Sequence, residues 1–94
     1  MIKFTHVDGD NSKKIVLYAL STCGWCGRAK EYLNRLGVAY DYVDADLVDE
    51  AASKEIEAEV IKWCKKEMYP TIVIDNKVGF IATDLDRTKK ELGK

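Results

Sequence analysis

The chain has 94 residues, 47% hydrophobic and 33% charged, with a net charge of −1. That length implies one domain over 1–94, able to bury a core without staples. The near-neutral balance and the lack of a basic stripe give no case for nucleic acid. No segment nears the roughly 18 apolar residues of a membrane span. The polar first 14 residues do not read as a signal peptide, and three cysteines, an odd number, suit a reducing cytoplasm better than a disulfide framework.

Ile2, Phe4 and Val7 alternate loosely with Lys3, Thr5 and His6. Residues 1–13 therefore read as an N-terminal extension or a short edge strand, with turn-rich chain over 8–14. His6, the only histidine, reads as a surface or edge-strand residue. Residues 15–20 (Ile-Val-Leu-Tyr-Ala-Leu) are apolar throughout and bounded by polar neighbours, the pattern of a central strand buried on both faces. A helix is predicted over 24–36, with Ala29, Tyr32, Leu33 and Leu36 on its apolar face and Gly37 as its C-terminal cap. Gly24 and Gly27 weaken its first turn, which suggests a close approach to the backbone there.

Residues 40–44 read as a second strand with Tyr40 and Tyr42 on one face, joined to the first by a right-handed crossover. A second helix is predicted over 49–66. Ala52, Ile56, Val60 and Trp63 form its stripe, and Trp63 reads as core. Acidic residues start it, and Lys62, Lys65 and Lys66 end it. Residues 71–74 and 78–81 form a hairpin around Asp75-Asn76-Lys77. Thr83 or Asp84 caps a last helix over 85–92, closed by Gly93. The order is β-α-β-α-β-β-α.

Chemistry enters at Cys23-Gly24-Trp25-Cys26, between the first strand and the first helix. Residues three apart on a helix share a face, so the two sulfurs can meet. Cys23 lies at the helix N-terminus, where unpaired N–H groups and the macrodipole favour a thiolate. Thiol pKa values fall there from about 8.5 to roughly 3.5–7.5, and the thiolate is the species that attacks a disulfide. Cys23 is thus the predicted nucleophile and Cys26 the resolving thiol. A structural zinc site also uses this spacing but needs four ligands. Beyond the pair the chain offers only Cys64 and His6, far apart, so the redox reading is preferred and no metal is expected. Cys64 reads as a small, inert, partly buried residue. Trp25 reads as an apolar contact for a partner. Arg28 and Lys30 read either as added positive field or as exposed helix surface.

The order of elements, the C-x-x-C after the first strand and the single proline in Met68-Tyr69-Pro70-Thr71 resemble the thioredoxin superfamily, and more narrowly a glutaredoxin. The resemblance implies an α/β, thioredoxin-like fold, a four-stranded mixed sheet flanked by helices, with the N-terminal strand as an extra. It implies a cis bond before Pro70, facing the cysteines, and a Tyr69 backbone that pairs with substrate. It also implies a dithiol–disulfide oxidoreductase acting on protein or mixed disulfides. Thr83 and Asp84 would hold glutathione as co-substrate, and no cofactor would be tightly bound. Partners would be disulfide-containing proteins and a reductase or glutathione, with the chain a cytoplasmic monomer. The alternative is a glutathione-assisted [2Fe-2S] carrier with Cys23 as ligand. The chain departs from the family at Leu20, where many members have Lys or Arg. It departs again before the last helix, where Ile81-Ala82 replaces a Gly-Gly pair, and in a longer segment between Asp44 and Pro70.

Overall fold

The computed structural model describes residues 2–93. Five strands and three helices follow in the order β1 (Thr5–Val7), β2 (Ile15–Ala19), α1 (Gly24–Leu36), β3 (Tyr40–Asp44), α2 (Glu50–Cys64), β4 (Thr71–Ile74), β5 (Val78–Ile81) and α3 (Leu85–Leu92). The sheet order is β1-β3-β2-β4-β5. β2 lies at its centre, parallel to β3 and antiparallel to β4. β1 joins the edge, antiparallel to β3. The four-stranded expectation becomes a five-stranded sheet, because the N-terminal extension does form a strand. His6 on that edge is exposed and held by Asp41 at 2.7 Å.

Successive strand side chains point to opposite faces. Ile15, Leu17 and Ala19 of β2 join Ile72, Ile74 and Tyr40 beneath Cys26, Ala29 and Leu33 of α1 and Leu92 of α3. Tyr18 and Val73, one residue out of step, join Val43 on the other face under Ile56 and Val60 of α2. One apolar strand thus feeds two cores. Tyr40 also ties β3 to α1, its hydroxyl donating to Asn34 Oδ1 at 3.0 Å.

Two boundaries shift from expectation. β2 ends at Ala19, and Leu20 leaves the ladder. α2 is shorter than 49–66 at both ends. Asp49 is its N-cap, accepting from Ala52 N–H at 2.8 Å, and Lys65 turns left-handed at its C-cap, which leaves Lys66 outside. Trp63 is half-buried rather than core and lies against Gly79 of β5, whose missing Cβ makes the room. A Cβ at Gly24 or Gly27 would meet nothing within 4 Å. These two glycines answer to no close neighbour among the described residues.

Candidate active site

Leu20 leaves the sheet, and the chain turns back through Cys23 N–H donating to Leu20 O at 3.3 Å. Cys23 is extended (φ −87°, ψ 121°) and is the N-cap of α1. Its sulfur does the work of a capping oxygen, accepting from Cys26 N–H at 3.3 Å. Partial burial opposes ionisation of this thiol. Hydrogen bonds from the Cys26 thiol, Cys26 N–H and Trp25 N–H outweigh that, and the Cys23 thiol lies below its ordinary value. Cys26 is one turn in and wholly buried. Burial, and then the adjoining Cys23 sulfur, push its thiol up to about 12. Leu20 N–H, donating to Cys26 Sγ at 3.3 Å, and the charge of Lys30 oppose this. All three cysteines are free thiols. The pair is therefore asymmetric: Cys23 is half-exposed and poised to ionise, while Cys26 is hidden and protonated.

Around the pair, the Tyr69–Pro70 bond is cis. Leu20, Cys23 and Tyr69 pack on the same core cluster, and Tyr69 senses charge on Cys26. Burial pushes the Tyr69 phenol up, helped by Glu67, to which it donates at 3.1 Å. Pro70 O accepts from Ala82 N–H at 2.7 Å, which sets Thr83 and Asp84 just past the proline. Asp84, not Thr83, caps α3, accepting from Arg87 N–H at 3.0 Å. Trp25 is 45% exposed, with the Arg28 guanidinium 4.9 Å from its ring centre. Cys64 is half-buried and shares a 3.3 Å contact with the Thr71 hydroxyl.

Two features here were not legible in the residue pattern, and a third was legible only in part. Leu20 contributes its backbone N–H, which no side-chain motif signals. Ser21 binds Asp46 through both its N–H (2.9 Å) and its hydroxyl, clamping the loop before Cys23 to the loop after β3. Lys30 pairs with Asp44 at 3.0 Å. The last had one sequence signal: Lys30 stands four residues after Cys26, on the same helix face. A cleft of about 330 Å³ lies elsewhere, lined by Phe4, Val16, Tyr18, Trp63 and Val73, with neither cysteine of the pair in its wall.

Residues 15–78 match the glutaredoxin family model. The chain belongs to the glutaredoxin family. It is 33% identical over 75 residues to an uncharacterized glutaredoxin-like 8.6 kDa protein in the rubredoxin operon of Clostridium pasteurianum, covering 78% of this chain and 93% of that one. A crystal structure of a glutaredoxin from Methanosarcina mazei aligns at a TM-score of 0.91 and 30% identity, over 99% of this chain and 90% of that one. A buckwheat glutaredoxin–glutathione complex aligns at 0.66 and 26%, over 89% and 74%. The fold is thus thioredoxin-like, and the extra N-terminal strand fits it. Glutaredoxins are thiol redox proteins, and membership supports that broad role here. No described helix is long and apolar enough to cross a membrane.

Proposed function

We propose that this protein is a dithiol–disulfide oxidoreductase, with Cys23 as nucleophile and Cys26 as resolving thiol. One observation carries the reading: Cys23 Sγ sits on the first-turn N–H groups of α1 with its thiol below the ordinary value, directly over a buried, protonated Cys26. Cys23 thiolate attacks a substrate disulfide, forming the mixed disulfide and expelling one substrate thiolate. Cys26 then attacks Cys23 Sγ, the substrate sulfur leaves, and the internal disulfide remains. Reduction by glutathione or a reductase restores the dithiol. Trp25 offers an exposed apolar contact to the partner protein. The Tyr69 backbone next to Pro70 serves the substrate chain.

Glutathione is one of the donors this reading admits. The buckwheat relative was crystallised with it. Here Thr83 and the start of α3 would receive its polar ends, since a helix N-terminus suits a carboxylate. Leu20 supplies no charge for the carboxylate that a basic residue would meet. The cluster-carrying alternative asks for the same glutathione contacts and so shares that deficit; the dithiol reading uses Cys26, which the cluster does not. A reducing compartment such as the cytoplasm, and a monomer with Trp25 free, suit this cycle.

The test is a model-disulfide reduction assay with Cys23→Ser and Cys26→Ser. Cys23→Ser is expected to abolish turnover. Cys26→Ser is expected to stall as a mixed disulfide visible by intact mass. Full activity of Cys23→Ser would refute the assignment.

A further inference from the structure

Resolution makes a demand that the resting Cys26 does not meet. A thiolate attacks a disulfide; a thiol does not. Cys26 is wholly buried, with its thiol pushed up to about 12. Once Cys23 is bonded to substrate, its sulfur carries no charge, and that part of the opposition vanishes. Burial remains. Two groups stand against it: Leu20 N–H, 3.3 Å from Cys26 Sγ, and the ammonium of Lys30.

Lys30 is a built feature and not a loose surface charge. It follows Cys26 by four residues on α1, one turn along the same face. Its Nζ donates to Asp44 Oδ1 at 3.0 Å and lies 4.4 Å from the centre of the Tyr42 ring. The Lys30 and Asp44 side chains are only 24% and 13% exposed. Asp44 ends β3 opposite Ala19, the residue before Leu20. Other groups do not replace it. Cys23, on the same helix, is consumed in the mixed disulfide. Tyr69, ahead of β4, is a phenol whose ionisation burial suppresses. Arg28, two residues past Cys26, is drawn over the Trp25 ring. Asp46, on the loop after β3, is clamped by Ser21 and also feels Lys30.

We propose that Lys30, fixed by Asp44 and Tyr42, is the positioning residue whose charge enables Cys26 to act as a thiolate while Cys23 is held in the mixed disulfide. The inference rests on the dithiol reading. Cys26 gives up its proton, and its sulfur pair forms the Cys23–Cys26 bond. The bond between Cys23 and the substrate sulfur breaks. The leaving sulfur takes that electron pair and, in net, the proton. No further oxidant or reductant is required.

The size of the effect follows from two opposed trends. Each unit by which the Cys26 pKa rises cuts its thiolate about tenfold. A more basic thiolate regains about threefold in nucleophilicity, so resolution slows about threefold per unit. The first measurement uses Cys23→Ser/Cys64→Ser protein, where Cys26 is the sole thiol, titrated by its ultraviolet thiolate absorbance. Lys30→Met is expected to move the midpoint up, and Lys30→Arg to restore it. The second uses a preformed mixed disulfide between Cys23 and a chromogenic thiol, in protein with Cys26 intact. Release is expected to slow in Lys30→Met at neutral pH, by about threefold for each unit the midpoint moves, while Cys23 alkylation in a Cys26→Ser background stays the same. Lys30→Met/Asp44→Asn, which leaves no unpaired carboxylate, should move the midpoint in the same direction by less than Lys30→Met does, and serves if the single variant fails to fold. An unmoved midpoint or an unchanged release rate overturns the proposal. So does failure of Lys30→Arg to restore either, since the role would then be packing. If the unaltered protein reduces no disulfide, the dithiol reading falls, and the Cys26 midpoint still decides whether Lys30 acts on it.

Discussion

Gly79→Ala tests how closely α2 rests on the sheet behind the active site. A Cβ at Gly79 would lie 2.6 Å from Trp63 Cβ, Cγ and Cδ2. Ordinary carbon contacts fall at about 3.5–4.0 Å, so about 1 Å must open between α2 and β5. Overpacking of that kind costs about 1–3 kcal/mol. Loss of glycine from the unfolded chain returns about 0.4–1 kcal/mol. The net is a destabilisation of about 1–2 kcal/mol, or about 5–15 °C in Tm for a domain of this size. Thermal unfolding by circular dichroism reads it directly. One of the three contacts is to Trp63 Cβ, which trimming the ring does not remove. The loss should therefore persist in a Trp63→Leu background. A Tm equal to or above that of the parent would show that the α2–β5 contact is looser than the geometry states.

Two further outcomes are expected. Asp84→Ala removes the α3 cap and should cost about 1 kcal/mol in urea unfolding; a loss of only a few tenths would mean that the Thr88 hydroxyl, which donates to Asp84 O at 2.9 Å, holds that turn by itself. Leu20→Lys supplies the missing charge on a half-buried surface position. A contact of that class contributes about 0.2–1 kcal/mol, so glutathione-coupled turnover should rise, by up to about fivefold, and no rise would remove side chain 20 from glutathione recognition.

Much of the fold was legible because local and global signals agree. The apolar run from Ile15, the Gly37 stop and the hairpin around Asp75–Lys77 each have one physical reading, and β3, β4, β5, α1 and α3 fall where the pattern puts them. The pattern was weakest where tertiary contact decides. Lys65 could extend a helix as readily as cap it, and only the left-handed turn at its position separates the two. Trp63 carries the stripe of a core residue. Its half-burial depends on Gly79, 16 positions away in the chain and brought near only by the α2–β5 packing. Ser21–Asp46 and Lys30–Asp44 join residues 25 and 14 apart. Such pairs follow from the β2–β3 register, which sequence spacing does not state.

The redox pair and the partner surface differ in legibility for one reason. What makes Cys23 acidic and seats Cys26 is the partner thiol together with main chain: the Cys26 thiol and the N–H groups of Cys26 and Trp25 on one sulfur, and the N–H of Leu20 on the other. Every residue but proline supplies such a donor. The chemistry therefore needs only two cysteines at a strand-to-helix junction, which a single sequence displays. In the proposed cycle recognition would instead rest on side chains: Leu20 where a basic residue would meet a carboxylate, Trp25 at the rim, Thr83 and Asp84 past the proline. On that proposal Leu20 would hold both roles at once, its N–H serving Cys26 and its side chain bearing on partner choice. A substitution there can change the electron donor while leaving the cysteine pair intact. Leu20→Lys should accordingly alter glutathione coupling and, by its charge near Cys23, lower the pH at which Cys23 is alkylated. The uncharged Leu20→Gln should leave that profile unmoved, and a shift in Leu20→Gln would show that the two roles are not separable.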